Sequence, residues 1–189
     1  MNKELIINSQ SSEVEIALLE DKALVELHKE RSNTGFGVGD LYLGKVRKIM
    51  PGLNAAFVNV GYEKDAFLHY LDLGPQVLSL NKLVRLTIQG KIKATTLDNF
   101  RMEKDIEKTG KITSVLTTGQ QILVQVAKEP ISTKGPRVSS EISFAGRYLV
   151  LVPFSSRISL SQKIKSPDER KRLKRLILSI KPAGFGLII

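Results

Sequence analysis

The chain contains no cysteine and no tryptophan, and only two histidines. Without cysteine it forms neither a disulfide nor a thiolate zinc site from its own residues, and a cytoplasmic setting fits. His28 and His69 are isolated imidazoles with no serine, cysteine or metal-ligand spacing beside them, so neither is assigned a catalytic or metal-binding role. No run of apolar residues is long enough to predict a membrane-spanning helix. The opening MNKELIINSQ lacks the long apolar stretch and small-residue cleavage site of a secretory signal. Acidic residues are also scarce, 19 against 29 lysines and arginines, which gives a formal charge of +10. The deficit is uneven: residues 1–38 hold 4 basic and 7 acidic side chains, so the rest of the chain carries +13. That balance favours a polyanionic partner, nucleic acid before acidic membrane.

What is present is enough for a core, with 42% of 189 residues apolar. ELIINSQ reads as a short strand, and alternation at Val14, Ile16 and Leu18 begins a hairpin that turns at Glu20-Asp21-Lys22. RSNTGFGVGD is a linker by composition. Three strands are then predicted at about 41–49, 53–60 and 66–70, the first turned by Pro51-Gly52. Residues 72–118 are irregular and of mixed charge, and read as an insertion, partly helical or flexible. GQQILVQVAKE returns to strand with Ile122, Val124 and Val126 on one face. PISTKGPR is a loop, and EISFAGRYLVLVP reads as one further strand.

A helix is predicted from Ser166, which serves as N-cap ahead of Pro167 and the capping-box Glu169. Leu173, Leu176, Ile177 and Ile180 fall on one apolar stripe, with Arg170, Lys171, Lys174 and Arg175 opposite. That basic face is either simply solvated or a contact for RNA backbone. The chain ends on GFGLII, an apolar strand, from which Ile189 is expected to be a truncation point rather than a biological terminus.

Phe57 and Phe67 pose the sharpest question. A hairpin about Tyr62 pairs positions whose numbers add to 124, which sets Phe57 opposite Phe67 on one face and leaves Ala56, Val58 and Val60 on the other. The two rings are either core, as most phenylalanines are, or a stacking platform for unpaired bases. The small apolar face behind them and Lys45, Arg47 and Lys48 on the preceding strand favour the platform.

GKVRKI, NAAFVNVG and AFLH together resemble the S-one type of OB-fold over residues 39–70, resuming near 119–142. With the flanking KEPISTKGPR, AGRYLVLVP and SQKIKSPDERKRLKRL, the whole chain resembles the ribonuclease E/G family, its ribonuclease G members in particular. The resemblance implies a mainly β (α+β) fold: N-terminal strands of a ribonuclease-H-like subdomain at 1–38, an S-one-type OB-fold barrel at 39–128 with 72–118 inserted, and a truncated 5′-sensor-like subdomain at 129–189 carrying the basic helix. It implies that Phe57, Phe67, Lys134, Lys45 and Arg47 contact single-stranded RNA. It also implies that Gly146, Val150 and Lys163 belong to a pocket for a 5′-phosphate. Where the best-known ribonuclease E proteins have an arginine pair, this chain has Gln162 and Lys163, and lysine lacks arginine's planar fork.

The family's magnesium is held by clustered aspartates of a later subdomain, its zinc by paired cysteines, and its full-length members form homo-oligomers. No such carboxylate cluster is legible here. Asp65, Asp72, Asp98 and Asp105 are scattered through turns and the insertion, so no catalytic or metal residue is assigned. The expectation is the RNA-binding region of a cytoplasmic endoribonuclease that processes rRNA and mRNA, with no turnover of its own. The alternatives are a non-enzymatic RNA-binding or ribosome-associated OB-fold protein and, last, a membrane-surface protein held by the basic helix.

Overall fold

The computed structural model describes residues 2–10, 13–31, 36–92, 97 and 100–189. Part of the expected linker (32–35), part of the insertion (93–96 and 99) and Asp98 lie outside the described residues. The chain divides into two compact units, Met1–Gly37 and Val38–Ile189.

The first unit is an antiparallel meander of β1 (Lys3–Ser9), β2 (Glu13–Glu20) and β3 (Ala23–Arg31). Asp21 and Lys22 both take positive φ, 46° and 69°. That is the handedness a two-residue hairpin needs to match the twist of its strands. The Asp21 carboxylate accepts from the backbone of Asn2 at 2.8 Å, which ties β1 to the same turn. Directly opposed residues carry opposite charge, Lys3 with Glu20 at 2.6 Å and Lys29 with Glu15. Hydrogen bonding to Lys29 holds the Glu15 carboxyl below its usual range.

The second unit is built on a closed barrel of β4 (Leu41–Met50), β5 (Ala55–Asn59), β6 (Ala66–His69), β7 (Gln121–Lys128) and β8 (Arg137–Ser139), in the order β4-β5-β6-β8-β7. This is the OB-type architecture. Strand alternation fills its interior: Val46, Val58, Leu68, Ile122, Val124, Val126 and Val138 are all at most 1% exposed. Gly44 lets β4 close on β5, because a Cβ there would stand 2.5 Å from Val58 Cγ1 and 3.0 Å from the Asn59 carbonyl oxygen. Between β6 and β7 the insertion contributes α1 (Val77–Ile88), whose Val77, Ser79 and Leu80 are buried. Ser79 is satisfied by donation from the Glu103 backbone at 2.8 Å.

The fifth strand lies past the domain boundary drawn at 128 but within the OB-fold resemblance at 119–142. At three residues with one inward apolar side chain, Val138, β8 is too short to carry a periodic signal. The run expected as one strand at 141–153 is two: β9 (Phe144–Ala145) and β10 (Val150–Pro153) fold back as a hairpin, closed by Gly146 N–H donating to the Leu149 carbonyl at 2.7 Å. They join β11 (Ile158–Ser159) and β12 (Phe185–Ile188) in a four-stranded sheet of order β11-β12-β10-β9. The terminal GFGLII is thus an interior strand of its sheet.

A small core of Leu80, Ile142 and Phe154 links α1, the barrel wall and this sheet region, with the rings of Phe100 and Phe154 5.6 Å apart. The expected helix is α2 (Pro167–Ile180), capped by Ser166 Oγ accepting from Glu169 N–H at 3.4 Å. Its apolar stripe is covered less than expected. Ile177 is buried, whereas Leu176 and Ile180 are exposed. Strands of two to four residues give too little surface to cover a stripe of that width.

Candidate nucleic-acid interface

The β5–β6 hairpin has the register that sets Phe57 opposite Phe67. Their backs are the barrel core, since Ala56, Val58, Ala66 and Leu68 are all 0% exposed. The rings themselves are half-buried, 5.8 Å apart between centroids and 66° between planes. This edge-to-face pairing is favourable for two aromatics in its own right and fixes the orientation of each ring. His69, two residues along β6, adds a third ring 6.4 Å from Phe67 and tilted by 30°. Its Nδ1 accepts from Leu71 N–H at 3.1 Å, which leaves the ring proton on Nε2.

The cross-strand register places cations at both ends of the aromatic pair. On one side Lys48 of β4 stands opposite Phe57, next to a bulge that begins after Val46. The extra residue is Arg47, and both Arg47 and Lys48 are exposed. Bulges re-aim side chains in this way. Lys45 is exposed on the same strand, opposite Asn59. On the other side Arg137 of β8 stands opposite Phe67. Its guanidinium donates two parallel hydrogen bonds to Asp72, each 2.9 Å. The hydrogen bonds to Asp72, and then its charge, raise the Arg137 pKa further, so the side chain is a fixed, always-charged plane beside the ring. Across four strands the row reads cation, ring, ring, cation.

Lys134 is exposed in the loop before β8, where its backbone closes a tight bridge with Ile131. The loop is held against the hairpin turn. Gly135 lies so close to the backbone of Lys64 and Asp65 that any side chain would collide with it, and Phe67 N–H donates to the Pro136 carbonyl at 2.8 Å. Phe57, Phe67, Lys45, Arg47 and Lys134 therefore belong to strands and loops that meet at this hairpin.

The remaining residues singled out from sequence lie elsewhere, on the four-stranded sheet. Gly146 sits in the β9–β10 turn, and Val150 opens β10 with Ala145 on one side and Ile188 on the other. Lys163 is exposed in the loop after β11, its N–H donating to Ser161 Oγ at 3.2 Å. Because Ser159 also pairs with Ile188, the Gly146 turn and the Lys163 loop emerge at the same end of the sheet. They leave from opposite sides of the sheet, whose outer strands β11 and β9 are about 14 Å apart at three strand spacings. Gly146 N–H is already used in closing its own turn.

Sequence reasoning missed His69 and Arg137 as neighbours of the rings. AFLH places His69 two residues from Phe67 on the same face, a signal that was available. Arg137 reaches Phe67 only through a parallel pairing with no local signal.

Among the described residues no three His, Asp or Glu side chains converge to hold a metal ion. No helix among them is long and apolar enough to cross a membrane.

Residues 143–189 match the sequence model of the ribonuclease E/G family. Ribonuclease G of Salmonella typhimurium (strain SL1344) is 33% identical over 191 residues, which covers 100% of this chain and 35% of that protein. Ribonuclease G of Haemophilus influenzae (strain Rd) is 37% identical over 174 residues, 92% of this chain and 32% of that protein. Ribonuclease E of Nostoc sp. (strain PCC 7120) is 41% identical over 153 residues, 80% of this chain and 18% of that protein. The chain spans about a third of the ribonuclease G relatives and under a fifth of this ribonuclease E. The match to the Salmonella ribonuclease G takes in the barrel and the four-stranded sheet alike, and this chain belongs to the ribonuclease E/G family.

Proposed function

We propose that the chain is the substrate-holding part of a ribonuclease G-like endoribonuclease, and that its barrel binds single-stranded RNA. The observation that carries this reading is the row of Lys48, Phe57, Phe67 and Arg137 across four strands of the closed barrel. An unpaired base lying on either ring gains stacking worth about 1–3 kcal/mol whatever its identity. On one flank Lys48 neutralises a phosphate, and on the other Arg137, its charge balanced by Asp72, presents a planar guanidinium beside Phe67. Bases in a duplex are already stacked, so the platform selects single strands. Lys134, Lys45 and Arg47 extend the positive rim, and Gly146, Val150 and Lys163 form one end of a site for the RNA 5′ end. The 33% identity to a ribonuclease G across all of this chain supports cleavage of RNA as the family activity, for which we propose a cytoplasmic setting.

No three His, Asp or Glu side chains converge among the described residues, and no catalytic step through the family's magnesium is assigned to them. In this reading the chain binds and orients RNA and does not cut it. The test is fluorescence anisotropy with a labelled single-stranded RNA and the matching duplex, followed by incubation of 5′-labelled RNA with the protein and magnesium. Tighter binding of the single strand and no cleavage are expected. Equal affinity for both forms would remove the stacking platform, and cutting that survives stringent repurification would place the chemistry within this chain.

A further inference from the structure

Five cations lie on α2, and the structure divides them into two kinds. Arg170 is folded back onto the preceding loop, where its Nη1 donates to the carbonyls of Ser161 at 2.8 Å and Ile164 at 3.0 Å. Arg172 grips Glu169 with two hydrogen bonds of 2.8 and 2.7 Å. Lys171, Lys174 and Arg175 are exposed and, among the described residues, paired with no carboxylate or carbonyl. Their spacing of i, i+3 and i+4 puts them on one stripe, with neighbouring Cβ atoms about 5–6 Å apart.

Two features set this stripe apart from an ordinary solvated face. Soluble helices usually interleave the two signs at this spacing. Here the only acidic residues, Asp168 and Glu169, are in the first turn. The helix is also fastened at both ends: by the Ser166 cap and Arg170 at its start, by buried Ile177 and by Lys181 donating to the Phe185 carbonyl at 2.8 Å after its end. A line of like charges on a fixed support costs self-repulsion when free and loses little freedom on meeting a matching anion.

We infer that Lys171, Lys174 and Arg175 form a second RNA-binding site, one that contacts phosphates and is indifferent to base identity. It rests on the reading of the barrel as an RNA binder, and it adds a site on a different element with a different chemistry: charge without stacking. A strand held at both places binds more tightly than one held at either, provided it is long enough to reach.

The test uses the full chain and a labelled 30-nucleotide homopolymer RNA, with anisotropy titrations across a salt series. The K171Q/K174Q/R175Q triple variant keeps helix propensity and removes three charges, and circular dichroism checks the fold. The expected result is a salt slope shallower by about 2 units and binding roughly 100-fold weaker at 0.1 M salt. The F57A/F67A double variant should lose affinity with its slope unchanged. An unchanged slope in the triple variant, beside a weakened F57A/F67A protein, overturns the second site alone. Absence of RNA binding by the unaltered protein overturns the barrel reading and this one together. Sedimentation with phosphatidylglycerol vesicles separates the other source of phosphate. Vesicle binding lost in the triple variant, with RNA binding intact, would assign the stripe to lipid headgroups and overturn the inference.

Discussion

The three-stranded sheet and the barrel are made of the same material to different effect. Both consist of strands with alternating or continuous apolar residues, joined by tight turns. In β1–β3, Leu5, Ile6, Ile7, Leu24, Val25 and Leu27 are half or more exposed. In the barrel, the inward residues of all five strands are sealed, from Val46 to Val138. Closure makes the difference. A curved sheet that meets its own edge buries one face of every strand, whereas an open meander of three strands buries neither face well. Alternation therefore predicts strands in both regions but a core only in the second. Cross-strand ion pairs, Lys3 with Glu20 and Lys29 with Glu15, fix the register of the open sheet instead.

The contrast is broken most directly by truncating one residue in each region. Leu68→Ala removes a side chain that is 0% exposed and leaves a cavity in the barrel, for an expected loss of about 2–5 kcal/mol in urea unfolding. Ile6→Ala, at 51% exposure, should cost under about 1 kcal/mol. Equal costs would mean that the open sheet has a core of its own. Gly44→Ala tests closure rather than filling. The added methyl meets Val58 and the Asn59 carbonyl and should cost about 1–3 kcal/mol by overpacking, read in the same urea series. A neutral result would show that β4 and β5 can part without loss.

How much of this was legible in the sequence follows from the range of each signal. The Phe57–Phe67 register was readable because one turn fixes it and the partners are ten residues apart. The helix was readable from Ser166, Pro167 and Glu169, which act locally. The fifth barrel strand was not, because three residues carry no period and its partner β6 lies across the whole insertion. Arg137 was missed for the same reason, and with it the cation on the far side of Phe67. The break at 146–149 was hidden inside an apolar run, where hydrophobicity alone does not distinguish one strand from two. The exposure of Leu176 and Ile180 depends on how much surface the neighbouring strands offer, which no helical wheel contains.

Two smaller effects sharpen the comparison within the barrel, between its sealed inner face and its aromatic outer face. Phe57→Ala and Phe67→Ala should each weaken single-stranded RNA by about 1–3 kcal/mol and cost less stability than Leu68→Ala, because the rings are half-buried over an intact core. Either variant melting like Leu68→Ala would place its ring in the core. Lys134→Ala should have the least effect on affinity and a distinct signature. Its side chain is exposed on a loop pinned by Gly135, so its loss leaves the fold alone and removes one charge from the rim. A phosphate contact binds by releasing counterions, and losing one flattens the salt dependence of single-strand binding by about 0.7 in log–log slope. The weakening should therefore be the same for every RNA sequence and fade as salt rises, while the loss in the Phe variants persists. An anisotropy salt series on the three variants separates the two behaviours, and an unchanged slope for Lys134→Ala would take that residue out of the interface and leave the rings and the strand cations to hold the RNA.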